Sequence, residues 1–236
     1  MDFRGQLLST LRALQPVLSE QGTLVIGSEI PNLLEPEAAS TLVVSRDVDI
    51  GVEVSHHLAV KKRLCEIEGL SPSPEEPSVW VPDREELIEV NFVGIDPSIE
   101  DASETYILED RELPLVVFGP LSHLRPGAPL NVEGLRIPVP RPAGLLVEKL
   151  MTDRCAEKGD RDLLVTVGLL LTSDESDLEE LSQIYARLRP ELRHAVRSNL
   201  AILSLMEPRE NMPDPGLHRK MIADLLGRLE RLEESR

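Results

Sequence analysis

Apolar positions recur along this chain in two rhythms, alternating strands through most of the first half and helical spacing through the second. In residues 3–20, Leu7, Leu8, Leu11, Leu14, Val17 and Leu18 follow the helical period, and Gly22 closes the helix. TLVIG (23–27) is a short apolar strand ending at Gly27-Ser28. Pro31 and Pro36 interrupt residues 29–40, which read as helical or irregular. In TLVVSRDVDIGVEV (41–54) the pattern turns to strict alternation from Arg46 onward. Asp47, Asp49, Gly51 and Glu53 point one way, and Val48, Ile50, Val52 and Val54 the other.

Residues 55–69 predict a helix carrying Leu58, Val60, Leu64 and Ile67, and SPSPEEP (71–77) a turn-rich loop. Strands follow at 78–82, 87–95 and 113–119, and LNVEGLRIPV (130–139) predicts a hairpin turning near Glu133-Gly134. From Pro142 the helical period takes over. An amphipathic helix is expected over 143–156, and further helices over 161–171 (after a break at Lys158-Gly159-Asp160), 175–189, 190–206 and 217–234, with a proline-rich linker at 207–216. The reading is an α/β core over residues 1–141 followed by a helical C-terminal domain over 142–236.

Composition narrows the classes. The 236 residues carry a formal net charge of −17, and only 3% are aromatic, so the core must be built from Leu, Val and Ile. Such acidity disfavours dedicated nucleic-acid binding and attraction to anionic membranes. No apolar run reaches the roughly 20 residues of a membrane span, and no basic leader precedes an apolar stretch. Cys65 and Cys155 lie far apart with no metal-ligand spacing. They read as reduced packing residues of a cytoplasmic protein.

The chemistry concentrates in the D-x-D strand. Asp47 and Asp49 at i, i+2 put both carboxylates on one face, about 7 Å apart at the backbone, where they can lean onto one hard cation. Gly27 allows backbone N–H groups close to a phosphate, and Ser28 adds a hydroxyl. A third carboxylate is needed from a neighbouring strand to complete a two-metal site. The 87–95 strand offers Glu89, or Asn91 if the register moves by two; an asparagine can coordinate a metal but cannot act as a base.

These pieces resemble the nucleotidyltransferase superfamily, in particular its AbiEii-like and minimal-nucleotidyltransferase branches. The likeness rests on the strand ending at Gly27-Ser28 and on SRDVDIGV (45–52). It extends to GLRIPVPRPAGLLVEKL (134–150), similar to the lead into that group's lysine-bearing helix, and to DRCAEKGDRDLLVTVGLLL (153–171). The resemblance implies a mixed sheet with flanking helices, Mg²⁺ or Mn²⁺ with an NTP as substrate, and transfer of a nucleoside monophosphate to an acceptor that is a protein, RNA or small molecule. It implies Asp47 and Asp49 as metal ligands, Glu89 as the third carboxylate, Gly27 and Ser28 as the phosphate cradle and Lys149 as a phosphate contact. Asp160 or Asp162 would be a helix-borne polar contact. Glu29 departs from the family, which has small or apolar residues there. The alternative is a catalytically silent module of the same fold that binds nucleotide or a protein partner. In the cell the active form could be the toxin of a toxin–antitoxin pair, with an antitoxin as partner.

Simpler readings stand beside each assignment. Lys149 reads as a surface helix residue, Asp160 and Asp162 as caps of the following helix, and Glu89 as the solvent side of an alternating strand. His56 and His57, about 100° apart on a helix, read as loop or cap residues. Trp80 reads as core or edge packing. The last helix packs into a bundle, with dimerisation as a lesser option.

Overall fold

The computed structural model describes residues 3–27, 29–34, 47–152, 156–210 and 212–234. A mixed sheet lies at the centre of the α/β half, and its register is what positions the acidic strand. Strand β1 (Thr23–Ile26) is buried along its length and runs antiparallel to β2 (Asp47–Glu53). A parallel pair requires a crossover, here a short helix and a hairpin. β2 leads through a 3-10 turn (Val54–His56) and α4 (His57–Arg63) to β3 (Leu70–Pro72) and β4 (Val79–Pro82), then to β5 (Glu89–Ile95), which returns parallel to β2. β4 pairs antiparallel with the first half of β5, and β7 (Leu115–Phe118) pairs parallel with its end at Gly94. β6 (Thr105–Leu108) closes that side, antiparallel to β7.

In β2 and β5 every even-numbered position is buried, Asp47, Asp49, Glu89, Asn91 and Val93 are half-buried, and the alternation is broken only where Gly51 and Ile95 are also buried. The alternation expected from the sequence therefore holds where it matters. Trp80 is buried edge-to-face against Phe92, with ring centroids 6.0 Å apart. The hairpin of β8 (Leu130–Val132) and β9 (Leu135–Ile137) turns at Glu133 and Gly134, both at positive φ. Just beyond β9, the Pro138 carbonyl accepts the Val25 N–H at 2.8 Å, which ties the hairpin to β1.

α1 (Phe3–Ala13) buries Leu7, Leu8 and Leu11, and α2 (Gln15–Leu18) follows it. Buried Thr10 on α1 accepts the Ile88 N–H at 3.0 Å through its hydroxyl and so fixes the entry into β5. α3 (Glu29–Leu34) follows β1 directly.

The C-terminal half departs from its expected layout. α5 (Pro142–Met151) is buried at every residue from Ala143 to Met151, so the expected amphipathic helix is a central one. It packs against α6 (Ala156–Thr172), α7 (Glu175–Arg187), α8 (Pro190–Leu205) and the 3-10 turn Gly119–His123, and such all-round contact leaves no solvent face. α6 runs through Lys158-Gly159-Asp160 without a break. α7 starts with a capping box in which the Asp174 and Asp177 carboxylates accept each other's N–H, at 3.0 and 3.1 Å. α9 (Arg219–Glu234) buries Ile222, Leu225 and Leu229 in contact with α7 and α8, so its apolar face is used within the chain. Buried apolar side chains from Leu7 to Leu229 form one continuous cluster spanning both halves. None of the described helices is long and apolar enough to cross a membrane.

Candidate functional site

The register of β2 against β5 builds the site. In a parallel pair, residues side by side point to the same face of the sheet. Asp47 stands beside Glu89 and Asp49 beside Asn91, so all four side chains occupy one patch. The sequence left the choice between Glu89 and Asn91 to the register. Being two apart on one strand, both share the aspartates' face, and the register decides only which aspartate each adjoins.

Asn91 makes the defining contacts. Its amide nitrogen donates to Asp47 Oδ2 at 2.8 Å and to Asp49 Oδ1 at 3.3 Å. Two carboxylates on one face repel each other, and an amide offering two N–H groups holds both without itself being charged. Glu89, at the first position of β5, is half-buried.

β1 delivers Gly27 to the same place, because Ile26 pairs with Asp49. Gly27 has φ +97°, a conformation that favours glycine. A Cβ at Gly27 would stand 2.8 Å from Asp49 Oδ2 and 2.8 Å from Glu29 Oε2. The missing side chain therefore admits two carboxylates to the same backbone. Glu29 is only 2% exposed. The sequence marked it as a departure from the family pattern, and the structure sets it inward, beside Asp49. Its position in the first turn of α3 is one that a carboxylate favours. The signal that could have found it was an acid placed directly after the Gly-Ser strand end.

The remaining assignments fall elsewhere. Lys149 is buried with its ammonium 3.3 Å from Glu148, so the expected surface position is overturned, because α5 is enclosed. Asp162 lies inside α6 and is 5% exposed, not at a helix start, because α6 begins at Ala156. Asp160 lies in the same helix, with its side chain outside the described residues, as are Ser28, Arg46 and Cys155. His57 is buried, its Nε2 2.8 Å from the Leu113 carbonyl oxygen. Cys65 is exposed, which overturns its reading as a packing residue; it follows Leu64, which takes the inward position of that turn.

The donor set fits a hard divalent cation. Asp47 and Asp49 offer two carboxylates, and turning over the Asn91 amide would present a third oxygen. Mg²⁺ commonly takes one or two carboxylates and completes its shell with water and phosphate oxygens. Among the described residues, no three His, Cys, Asp or Glu side chains are drawn together closely enough to enclose an ion by themselves. No protein-family model, no curated protein and no solved structure matches the chain.

Proposed function

We propose that the β2/β5 face binds a divalent-metal nucleotide and that the protein is a metal-dependent nucleotidyltransferase. The observation that carries this reading is the register that sets Asp47, Asp49, Glu89 and Asn91 on one face, beside Gly27. Asp47 and Asp49 would hold Mg²⁺ or Mn²⁺, which when bound neutralises phosphate charge and polarises the α-phosphate. The Gly27 backbone, with Ser28 after it, would bracket the outer phosphates. Glu89 would take the proton of an acceptor hydroxyl, whose oxygen forms the new bond to the α-phosphorus. The bond from the α-phosphorus to its bridging oxygen breaks, and pyrophosphate leaves. Lys149 would have to leave Glu148 to reach a phosphate, and the reading does not depend on it.

A second reading has its own observation. The Asn91 amide braces both aspartates at the position adjoining Asp49, where a carboxylate would add a ligand. A module of this kind would hold nucleotide, or a protein partner, without turnover.

Titration with the four Mg-NTPs, followed by an assay for pyrophosphate release, separates the possibilities. Binding with release supports the transferase, and binding without release supports the silent module. Failure of every NTP to bind, with Asp47→Asn indistinguishable from wild type, would end both nucleotide readings.

A further inference from the structure

Far from the aspartate patch, the sheet ends on β6, and among the described residues no strand pairs with its other edge. The Gly119 N–H donates to the Glu104 carbonyl at 2.7 Å, which makes these two a hydrogen-bonded pair just before β6. Alternation along an antiparallel ladder then turns the backbone groups of Tyr106 and Leu108 toward β7. Those of Thr105 and Ile107 point away from the sheet. Exposed edges are usually blunted by proline, by lysine or by an inward charge. Thr-Tyr-Ile-Leu has none of these.

The side chains beside this edge are apolar and open. Ile107 stands opposite Val116 and Thr105 opposite Phe118, so the four share one face. Ile107 is 62% exposed and Phe118 40%. On the opposite face the Tyr106 hydroxyl donates to Asp96 at 2.7 Å and keeps the strand in place. The surroundings are acidic: Glu100, Glu104, Glu109 and Glu112 are exposed around the strand. Of the nearby cations, Lys61 is engaged with Asp110 and Glu112 and Arg189 with Asp101, while Arg111 is exposed in the turn after β6.

We propose that β6 is a docking edge for an extended, basic segment of a partner protein, which adds to the sheet as a further strand. Thr105 and Ile107 supply the main-chain hydrogen bonds, and Ile107 and Phe118 receive an apolar side chain of the added strand. Glu104 and Glu109, one at each end, meet lysine or arginine. The same two residues disfavour a second copy of this chain. Paired through β6, two chains would set glutamate against glutamate at both ends of the strand, with a net charge of −17 on each partner.

The test uses the full chain and two short blocked peptides of alternating threonine and valine, one ending in lysine at both ends and one in glutamate. Fluorescence anisotropy measures binding, and amide hydrogen exchange reports on Thr105 and Ile107. The lysine peptide should bind about tenfold more tightly than the glutamate peptide and slow exchange at both amides. The double variant Glu104→Lys/Glu109→Lys should reverse that preference, while wild-type exchange elsewhere in the sheet shows that it remains folded. Equal binding of the two peptides, no binding of either, or protection away from residues 105–108 overturns the proposal. So does a wild-type dimer that Ile107→Lys dissociates, since a second copy would then be the occupant.

Discussion

At Asn91 one uncharged amide donates to both Asp47 and Asp49. Replacing it with aspartate puts a third carboxylate beside two that it now braces. Asn91→Asp should therefore melt earlier than wild type in EDTA, by an amount corresponding to about 1–3 kcal/mol. Millimolar Mg²⁺ should recover most of that loss and leave wild type nearly unchanged. Thermal melts with and without Mg²⁺ check this, and a loss that Mg²⁺ does not repair would count against a cation site. Asp110 tests a purely structural charge. The Lys61 ammonium donates to it at 2.9 Å, and together with the Leu113 and Glu112 N–H groups this holds its carboxyl at about 2. Unfolded, it would titrate near about 4. As pH falls the unfolded chain takes up the proton first. The stabilisation is thus complete above about pH 4 and is lost as pH falls toward 2. The melting difference between wild type and Lys61→Met should be present at pH 6 and vanish near pH 2.

Two helical glycines show how the elements depend on their neighbours. A Cβ at Gly144 on α5 would stand 2.7 Å from the His123 carbonyl oxygen and 3.1 Å from the Leu124 Cα. Both are backbone, so Gly144→Ala should destabilise by about 1–3 kcal/mol. At Gly227 on α9 the nearest atom is the end of the Arg231 side chain at 3.4 Å, which can move. Gly227→Ala should stabilise by about 0.5–1 kcal/mol through helix propensity. Urea unfolding of the pair should give shifts of opposite sign.

The same contrast explains what was legible in the sequence. The β1 strand announces itself as a short apolar run, β2 and β5 through local alternation, and the β8–β9 hairpin through a Glu-Gly turn. The helix α5 is legible too, but its enclosure is not: Glu148 and Lys149 read locally as a solvent face, and only packing from several sides buries them. β6 was missed because three of its four residues are exposed, so no buried face writes an alternating pattern. The aspartate face could be read from spacing alone. Its neighbours could not, because the adjacency of Asp49 and Asn91 belongs to the pairing of two strands, with the residues 42 apart in number, and the burial of Glu29 depends on the packing around α3.

Across the whole molecule, one apolar cluster joins the sheet to the helices, and α5 passes through its middle. The site lies on the sheet, toward the start of β2 and β5, and the open edge lies beyond β7 on the side away from β1. The acidic surface repels long polyanions and suits partners of opposite charge. The proposed nucleotide chemistry requires a cation site at Asp47 and Asp49 completed by phosphate. Electron paramagnetic resonance of Mn²⁺, titrated into the protein with and without a non-hydrolysable NTP analogue, tests it most directly. One Mn²⁺ per chain should bind, more tightly with the analogue present, and Asp49→Asn should abolish that binding in a folded protein. Mn²⁺ binding that ignores both the analogue and Asp49→Asn, or no binding at all, would contradict it.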